Sequence, residues 1–272
     1  SGSGMLEGMA TLSTEIVGEG TPVVALHGFG PDRRLMAAML EPVLGELDGF
    51  RRVYLDLPGC GSSAAREIRS TADVLAAVEQ TVADAVGDEP FLLVGESYGG
   101  YLATELTRQR PDQVLGLALV CPVVVPMHAE RTVPTHTVIE RDETLMSSLD
   151  ADELATFEPL AVVQTRETFE RFCAEIGSGL ATADDEALER IQSGGYALPE
   201  CEALSYDRPT LILTGRQDSV VGYADQWALL ERFPRATFAV LDAAGHNAQI
   251  ERPDVTSVLL RDWLARCAHA AR

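Results

Sequence analysis

Residues 95–99 read Gly-Glu-Ser-Tyr-Gly, directly after the apolar run 91–94 and directly before a stretch with helical character. A serine between two glycines at the end of a buried strand is the pattern of a nucleophile elbow, a sharp strand-to-helix turn that exposes the hydroxyl from a strained backbone. Gly95 and Gly99 suit such a turn because strand and helix approach too closely there for side chains. A serine hydroxyl is a weak nucleophile near neutral pH, so it needs a base, and the base needs a carboxylate to hold its tautomer. Two later segments end apolar runs on such residues: "LILTGRQD" ends at Asp218 and "FAVLDAAGH" ends at His246. Ser97, Asp218 and His246, in that order, could carry acyl transfer through a covalent intermediate.

Those residues need a scaffold that brings distant loops together. Apolar runs bounded by turn residues recur at 22–28, 51–59, 90–97, 114–123, 209–218 and 236–246. Unbroken runs rich in Val, Leu and Ile read as strands buried on both faces. Helical patterns lie between them. Residues 71–86 put Val74, Leu75, Val78, Val82 and Val86 on one face after a Ser70/Asp73 start signal, and 99–109 stop before Pro111. Residues 223–233 carry Trp227, Leu229, Leu230 and Phe233, and 254–268 follow Pro253 with Val258, Leu259, Trp263 and Leu264. This alternation predicts an α/β fold, a mostly parallel central sheet flanked by helices on both faces. Ser97 then sits at the carboxyl end of a central strand, where ligands bind in such sheets.

Residues 126–205 break the rhythm and read as several short helices, with 17 acidic against 5 basic residues, a net charge of −12. Solvated helix faces account for that charge, as does a lid whose field turns away anionic substrates. The expected organisation is a core over 1–125 and 206–272 with a helical insertion over 126–205, and residues 1–4 read as the remnant of a tag.

Composition narrows the chemistry. With 46% hydrophobic content, 272 residues can bury a large core. No window offers 18 uninterrupted apolar residues and no secretory signal opens the chain, so a cytoplasmic protein without membrane association is expected. Cys60, Cys121, Cys173, Cys201 and Cys267 are odd in number and form no C-x-x-C pair, which argues against disulfides and a zinc site. Basic and acidic residues number 21 and 42, a net charge of −21, so nucleic acid is not an expected partner. There is no lysine, which removes Schiff-base chemistry.

Five motifs now bear on the family: "HGFG" (27–30), "DLPGCGSS" (56–63), "GESYGG" (95–100), "TGRQD" (214–218) and "AGHNAQIERPD" (244–254). In these motifs and their order the chain resembles the α/β-hydrolase fold superfamily. The resemblance implies a serine hydrolase with a helical cap inserted after the sixth strand and a relay of Ser97, His246 and Asp218. It implies an oxyanion hole built from the backbone N–H groups of Phe29 and Tyr98. The expected reaction is hydrolysis of an ester or lactone of a small, apolar or neutral molecule, without metal or organic cofactor, by a monomer or homodimer. Because the base must be neutral, activity is expected to rise through an apparent pKa of about 6–7. Amide hydrolysis of the proline iminopeptidase type, acyl transfer or cyclisation, lyase chemistry and a ligand-sensing role all remain open. Ser97 disfavours relatives with an aspartate nucleophile, the lack of lysine disfavours plant-type hydroxynitrile lyases, and Tyr98, where perhydrolases and C–C hydrolases often have methionine, disfavours those groups without excluding them.

Met127 and His128, just past the strand at 114–123, are the expected substrate contacts, with a surface loop as the other reading for His128. His27 is expected to brace the oxyanion turn, and His136 and His269 to be solvated. Glu96 is expected to be a structural hydrogen-bond partner beneath the elbow. For Phe157, Phe169 and Phe172, pocket lining and helix-core packing are both open.

Overall fold

In the computed structural model, described for residues 11–199 and 202–270, the apolar runs form one seven-stranded sheet. Residues 1–4 and Cys201 lie outside the described residues. The strands are β1 (Thr14–Val17), β2 (Thr21–Leu26), β3 (Phe50–Leu55), β4 (Phe91–Glu96) and β5 (Val114–Val120), then β8 (Thr210–Gly215) and β9 (Ala236–Leu241). A separate parallel pair, β6 (Glu140–Arg141) and β7 (Val163–Gln164), falls between them in the chain. Spatial order is β1-β3-β2-β4-β5-β8-β9. All neighbours run parallel except β1, which pairs antiparallel with β3 at the edge.

Central strands are apolar without alternation because both faces are covered. Val23, Ala25, Leu92 and Val94 face one core, whereas Val24, Leu26, Phe91 and Leu93 face the other, so successive side chains alternate between two buried layers. Helices α1 (Arg33–Leu44), α2 (Thr71–Val86) and α3 (Tyr98–Gln109) connect the first five strands. Ser70 caps α2 by accepting from the Asp73 N–H, and the five valine and leucine positions of its expected face are buried.

The segment after β5 is helical: α4 (Glu143–Ser148), α5 (Ala151–Phe157), α6 (Arg166–Phe172), a π-helical turn at Cys173–Gly177, α7 (Ser178–Leu180) and α8 (Asp185–Gly195). Part of its acidity has a local cause, since Asp142, Asp150 and Asp184 each accept backbone N–H bonds at a helix start. Among the described residues β5 is the fifth strand in chain order, where the family pattern counts the strand before the insertion as the sixth.

The chain closes with α9 (Ala224–Trp227), a 3-10 turn at Ala228–Glu231, α10 (Ala248–Glu251) and α11 (Pro253–Ala270). Two expected core positions face solvent instead. Trp227 is 61% exposed because the expected helix over 223–233 is one α-turn followed by a tighter turn, which leaves Leu229 and Phe233 to fill the core. Val258 is 65% exposed. It lies two residues, or about 200° around the helix, from Leu260 on the buried stripe that continues through Trp263, Leu264 and Cys267. His136 departs the other way: neither ring nitrogen reaches solvent or a hydrogen-bond partner. No helix among the described residues is long and apolar enough to cross a membrane.

Candidate active site

The elbow is enforced by close backbone packing. A Cβ on Gly95 would lie 2.4 Å from the Gly99 carbonyl oxygen, and one on Gly99 would lie 2.1 Å from that of Leu26. Ser97 between them has φ 51°, in the left-handed region that non-glycine residues rarely occupy. Surrounding hydrogen bonds hold it there. Its N–H donates to the Val120 carbonyl at 2.9 Å, and its carbonyl accepts from Gly100, Tyr101 and Val123 at 3.0, 3.2 and 3.0 Å.

Strands β8 and β9 deliver the other two residues beside it. Asp218 follows β8 and is fully buried, and His246 follows β9. His246 Nε2 is 2.9 Å from Ser97 Oγ, and Nδ1 is 3.0 Å from Asp218 Oδ2. In the neutral imidazole, which is the form that can act as a base, the Asp218 carboxylate assigns the proton to Nδ1 and leaves Nε2 to accept from the serine. The second carboxylate oxygen, Oδ1, accepts from the N–H groups of Val220 and Val221 at 2.8 and 3.0 Å. This carboxylate cannot swing away without leaving two amides unpaired. Ser97 retains 8% of its surface exposed and the His246 side chain 12%, so the relay is almost covered.

A second acid joins it. Glu96 is buried with Oε1 3.8 Å from His246 Nε2. Burial, reinforced by Asp218, pushes the Glu96 carboxyl up to about 7 against the pull of the imidazole and a hydrogen bond donated by the Gly28 backbone N–H. For His246, burial acts downward, but Asp218 and then Glu96 outweigh it and push the imidazole up to about 9. Cys121 Sγ lies with Asp218 and His246 donor atoms, all within 4.8 Å of one another. Burial pushes that thiol far up, so it is neutral, and a cation there would have to displace the Asp218–His246 hydrogen bond.

The turn at 27–30 lies beside this group, since a Cβ on Gly28 would stand 3.2 Å from Ser97 Cβ. His27 is fully buried, with Nδ1 donating to the Gly28 carbonyl at 2.7 Å and Nε2 accepting from the Leu57 N–H at 2.9 Å. Burial lowers its pKa, so it is a neutral brace between two loops. Phe29 packs edge-on against Tyr98 at 5.1 Å and Tyr196 at 5.6 Å. The Tyr98 hydroxyl donates to Thr71 Oγ1 at 2.9 Å, and Thr71 donates to the Tyr196 carbonyl at 2.7 Å. Tyr98 is the first residue of α3, a position whose N–H has no partner within the helix.

Met127 is half exposed and His128 lies on an exposed 3-10 turn; neither is hydrogen-bonded or ion-paired to Ser97, Asp218 or His246. Phe157 and Phe172 are buried, with ring centroids 5.3 Å apart, while Phe169 and Phe172 also border an open groove of about 460 Å³ on the insertion. Helix-core packing accounts for Phe157, and none of Ser97, Asp218 and His246 borders that groove. Tyr196 and the proximity of Glu96 to the base carried no signal in the sequence, because neither follows from residue type or spacing.

A family model described as alpha/beta hydrolase fold matches residues 21–253. The chain is 28% identical over 272 residues to the 2-hydroxy-6-oxononadienedioate/2-hydroxy-6-oxononatrienedioate hydrolase of Klebsiella pneumoniae subsp. pneumoniae, covering 96% of this chain and 93% of that protein. It is 28% identical over 263 residues to the pimeloyl-[acyl-carrier protein] methyl ester esterase of Aeromonas hydrophila subsp. hydrophila, covering 89% and 95%. A further relative, 28% identical over 259 residues, is longer, and the chain spans 63% of it. Among solved structures, an alpha/beta superfamily hydrolase from Oenococcus oeni PSU-1 superposes with a TM-score of 0.88 at 28% identity, covering 95% of this chain and 97% of that one.

Proposed function

The chain belongs to the alpha/beta hydrolase fold family, and we propose that it is a serine hydrolase cleaving a carboxylic ester or lactone of a small molecule through an acyl-enzyme. The observation that carries this reading is the continuous relay of 2.9 Å from Ser97 Oγ to His246 Nε2 and 3.0 Å from Nδ1 to Asp218. Ser97 Oγ attacks the carbonyl carbon as His246 Nε2 takes its proton, and Asp218 holds the tautomer and faces the imidazolium that forms. The N–H groups of Phe29 and Tyr98 receive the negative oxygen, a donation worth about 3–4 kcal/mol per donor in the transition state. The protonated imidazole then gives its proton to the leaving alkoxide. Water next adds to the acyl group with His246 again as base, which releases the acid and restores the serine hydroxyl.

In this reading the segment 126–205 acts as a cap over a nearly buried serine, and its net charge of −12 favours substrates that are neutral or apolar at the reacting end. The methyl ester esterase named among the relatives supports an ester as the scissile group.

A panel of esters, lactones, thioesters and aminoacyl anilides assayed with wild type and Ser97→Ala tests the proposal. Ester or lactone turnover should fall on the order of 10⁵–10⁶-fold in the variant, and a fluorophosphonate should label Ser97 stoichiometrically. Undiminished turnover by Ser97→Ala would remove the serine from the mechanism.

A further inference from the structure

Two stretches far apart in the chain meet on one carboxylate. Glu251 ends α10, five residues after the proposed base, and is buried. One of its oxygens, Oε1, accepts from the backbone N–H groups of Val162 at 2.6 Å and Val163 at 3.1 Å. The other, Oε2, accepts from the N–H of Gly245 at 2.5 Å. Val162 and Val163 lie in the helical insertion at β7, whereas Gly245 is the residue bonded to His246. All three donors are main-chain amides. Arg171, on α6, is engaged elsewhere, with Glu175 at 2.7 Å and the Ile250 carbonyl at 3.4 Å.

Packing at this junction is equally close. A Cβ on Gly245 would lie 2.7 Å from Val162 Cγ2 and 3.3 Å from the Leu160 carbonyl oxygen, so the insertion rests directly on the loop that carries the base. Gly245 is also pressed from behind, since its carbonyl oxygen lies 2.2 Å from where a Cβ on Gly215 would stand. The loop is therefore held between the end of β8 and the insertion, and Glu251 bonds both the loop and the insertion.

We propose that Glu251 is a positioning residue that ties the Gly245–His246 peptide to Val162 and Val163, so that the imidazole is aligned on Ser97 only while this part of the insertion is docked. The inference rests on the acyl-transfer reading above for its consequence, though not for its geometry. Glutamine has nearly the same shape but one acceptor oxygen instead of two, and its NH₂ end turns a donor toward an amide N–H. One side of the tie is then lost, and the unmatched amide stays buried.

The test compares wild type with Glu251→Gln and Glu251→Asp. Active serines are counted by fluorophosphonate titration to completion, and p-nitrophenyl acetate hydrolysis is then expressed per titrated site. Misalignment of the base should lower kcat per titrated site by at least about tenfold in Glu251→Gln with KM changed by less than about threefold, and Glu251→Asp should recover part of the loss. A merely structural role would reduce the number of titratable serines and leave kcat per site unchanged, and that result overturns the proposal. Amide hydrogen exchange on the wild-type protein gives a second measurement that requires neither a folded variant nor ester turnover. Val162, Val163 and Gly245 should exchange slowly and with a common opening rate. Free exchange at Val162 and Val163 beside a protected Gly245 also overturns it. Absence of ester turnover by wild type would instead count against the hydrolase reading and leave the exchange result to decide the tie.

Discussion

Replacing Glu96 by glutamine removes one negative charge, borne by a carboxylate whose Oε1 lies 3.8 Å from His246 Nε2, and changes little else in the volume of the site. Two unit charges at that separation interact by on the order of 1–4 kcal/mol for effective dielectric constants between about 80 and 20, equivalent to about one to three pKa units. Loss of the anion disfavours the imidazolium, so the pKa of His246 falls and the neutral base persists to lower pH. Glu96 is itself pushed up only to about 7, below the imidazole at about 9, so it still carries its charge across the limb and a downward shift of at least about one unit is expected. The assay is kcat/KM for p-nitrophenyl acetate from pH 5 to 10. Wild type should show its acid limb above the range of about 6–7 expected for an ordinary histidine base, because Asp218 and Glu96 together push the imidazole up. In Glu96→Gln that limb should move down by at least about one unit, making the variant relatively more active below neutrality. Its plateau should drop, since the imidazolium formed during attack has lost a neighbouring anion. A limb that stays within about 0.3 unit of wild type, or moves upward, refutes the electrostatic argument.

Other substitutions probe the remaining parts of the site. Asp218→Asn should lower kcat on the order of 10⁴-fold by leaving the imidazole free to take the wrong tautomer, which steady-state kinetics on p-nitrophenyl acetate will show. Gly99→Ala puts a Cβ 2.1 Å from the Leu26 carbonyl oxygen, so urea unfolding should register a loss of roughly 3 kcal/mol or more, and a midpoint equal to wild type would contradict the packing. Tyr98→Phe removes the 2.9 Å bond to Thr71 while keeping the ring and the backbone N–H. It should cost about 1 kcal/mol in stability and leave kcat within about threefold, whereas a large loss of kcat would assign the hydroxyl a part in the reaction.

What could be read from the sequence follows from which faces are buried. Strands such as Thr21–Leu26, buried from position 22 onward, and Phe91–Glu96 are covered on both sides and leave an unbroken apolar run that needs no partner to be recognised. Strand β1, reading Thr-Glu-Ile-Val at the antiparallel edge with its two central residues exposed, leaves no such mark. Helix α1 has a full apolar face, but Pro42 lies inside it and weakens the helical pattern that the chain shows elsewhere. Ser97, Asp218 and His246 were legible because each ends an apolar run at the same edge of the sheet. Glu251 stood inside a recognised motif, yet its three amide partners include two nearly ninety positions away, and spacing along the chain says nothing of such a meeting.

Backbone strain gives an independent argument for where function lies. Among the described residues only Ser97, Cys121 and Ala243 are non-glycine residues with positive φ, at 51°, 42° and 53°. Each follows the carboxyl end of a strand, β4, β5 or β9 respectively, so all three stand on the same edge of the sheet as the relay. Such conformations cost on the order of 1–3 kcal/mol each and persist only where the surroundings overdetermine them. At Ser97 the restraint is the set of four backbone bonds around the elbow; at Cys121 it includes an N–H bond of 2.7 Å to the Leu213 carbonyl. The strained turn at Ala243 precedes Gly245 and His246, whose close packing against Gly215 and Val162 leaves the loop little room to relax. A chain stabilised by its core alone would have no reason to hold three unfavourable turns along one edge. Their coincidence with Ser97, with the loop of His246 and with the thiol beside Asp218 is what the proposed acyl-transfer site requires, a nucleophile and base fixed before substrate arrives.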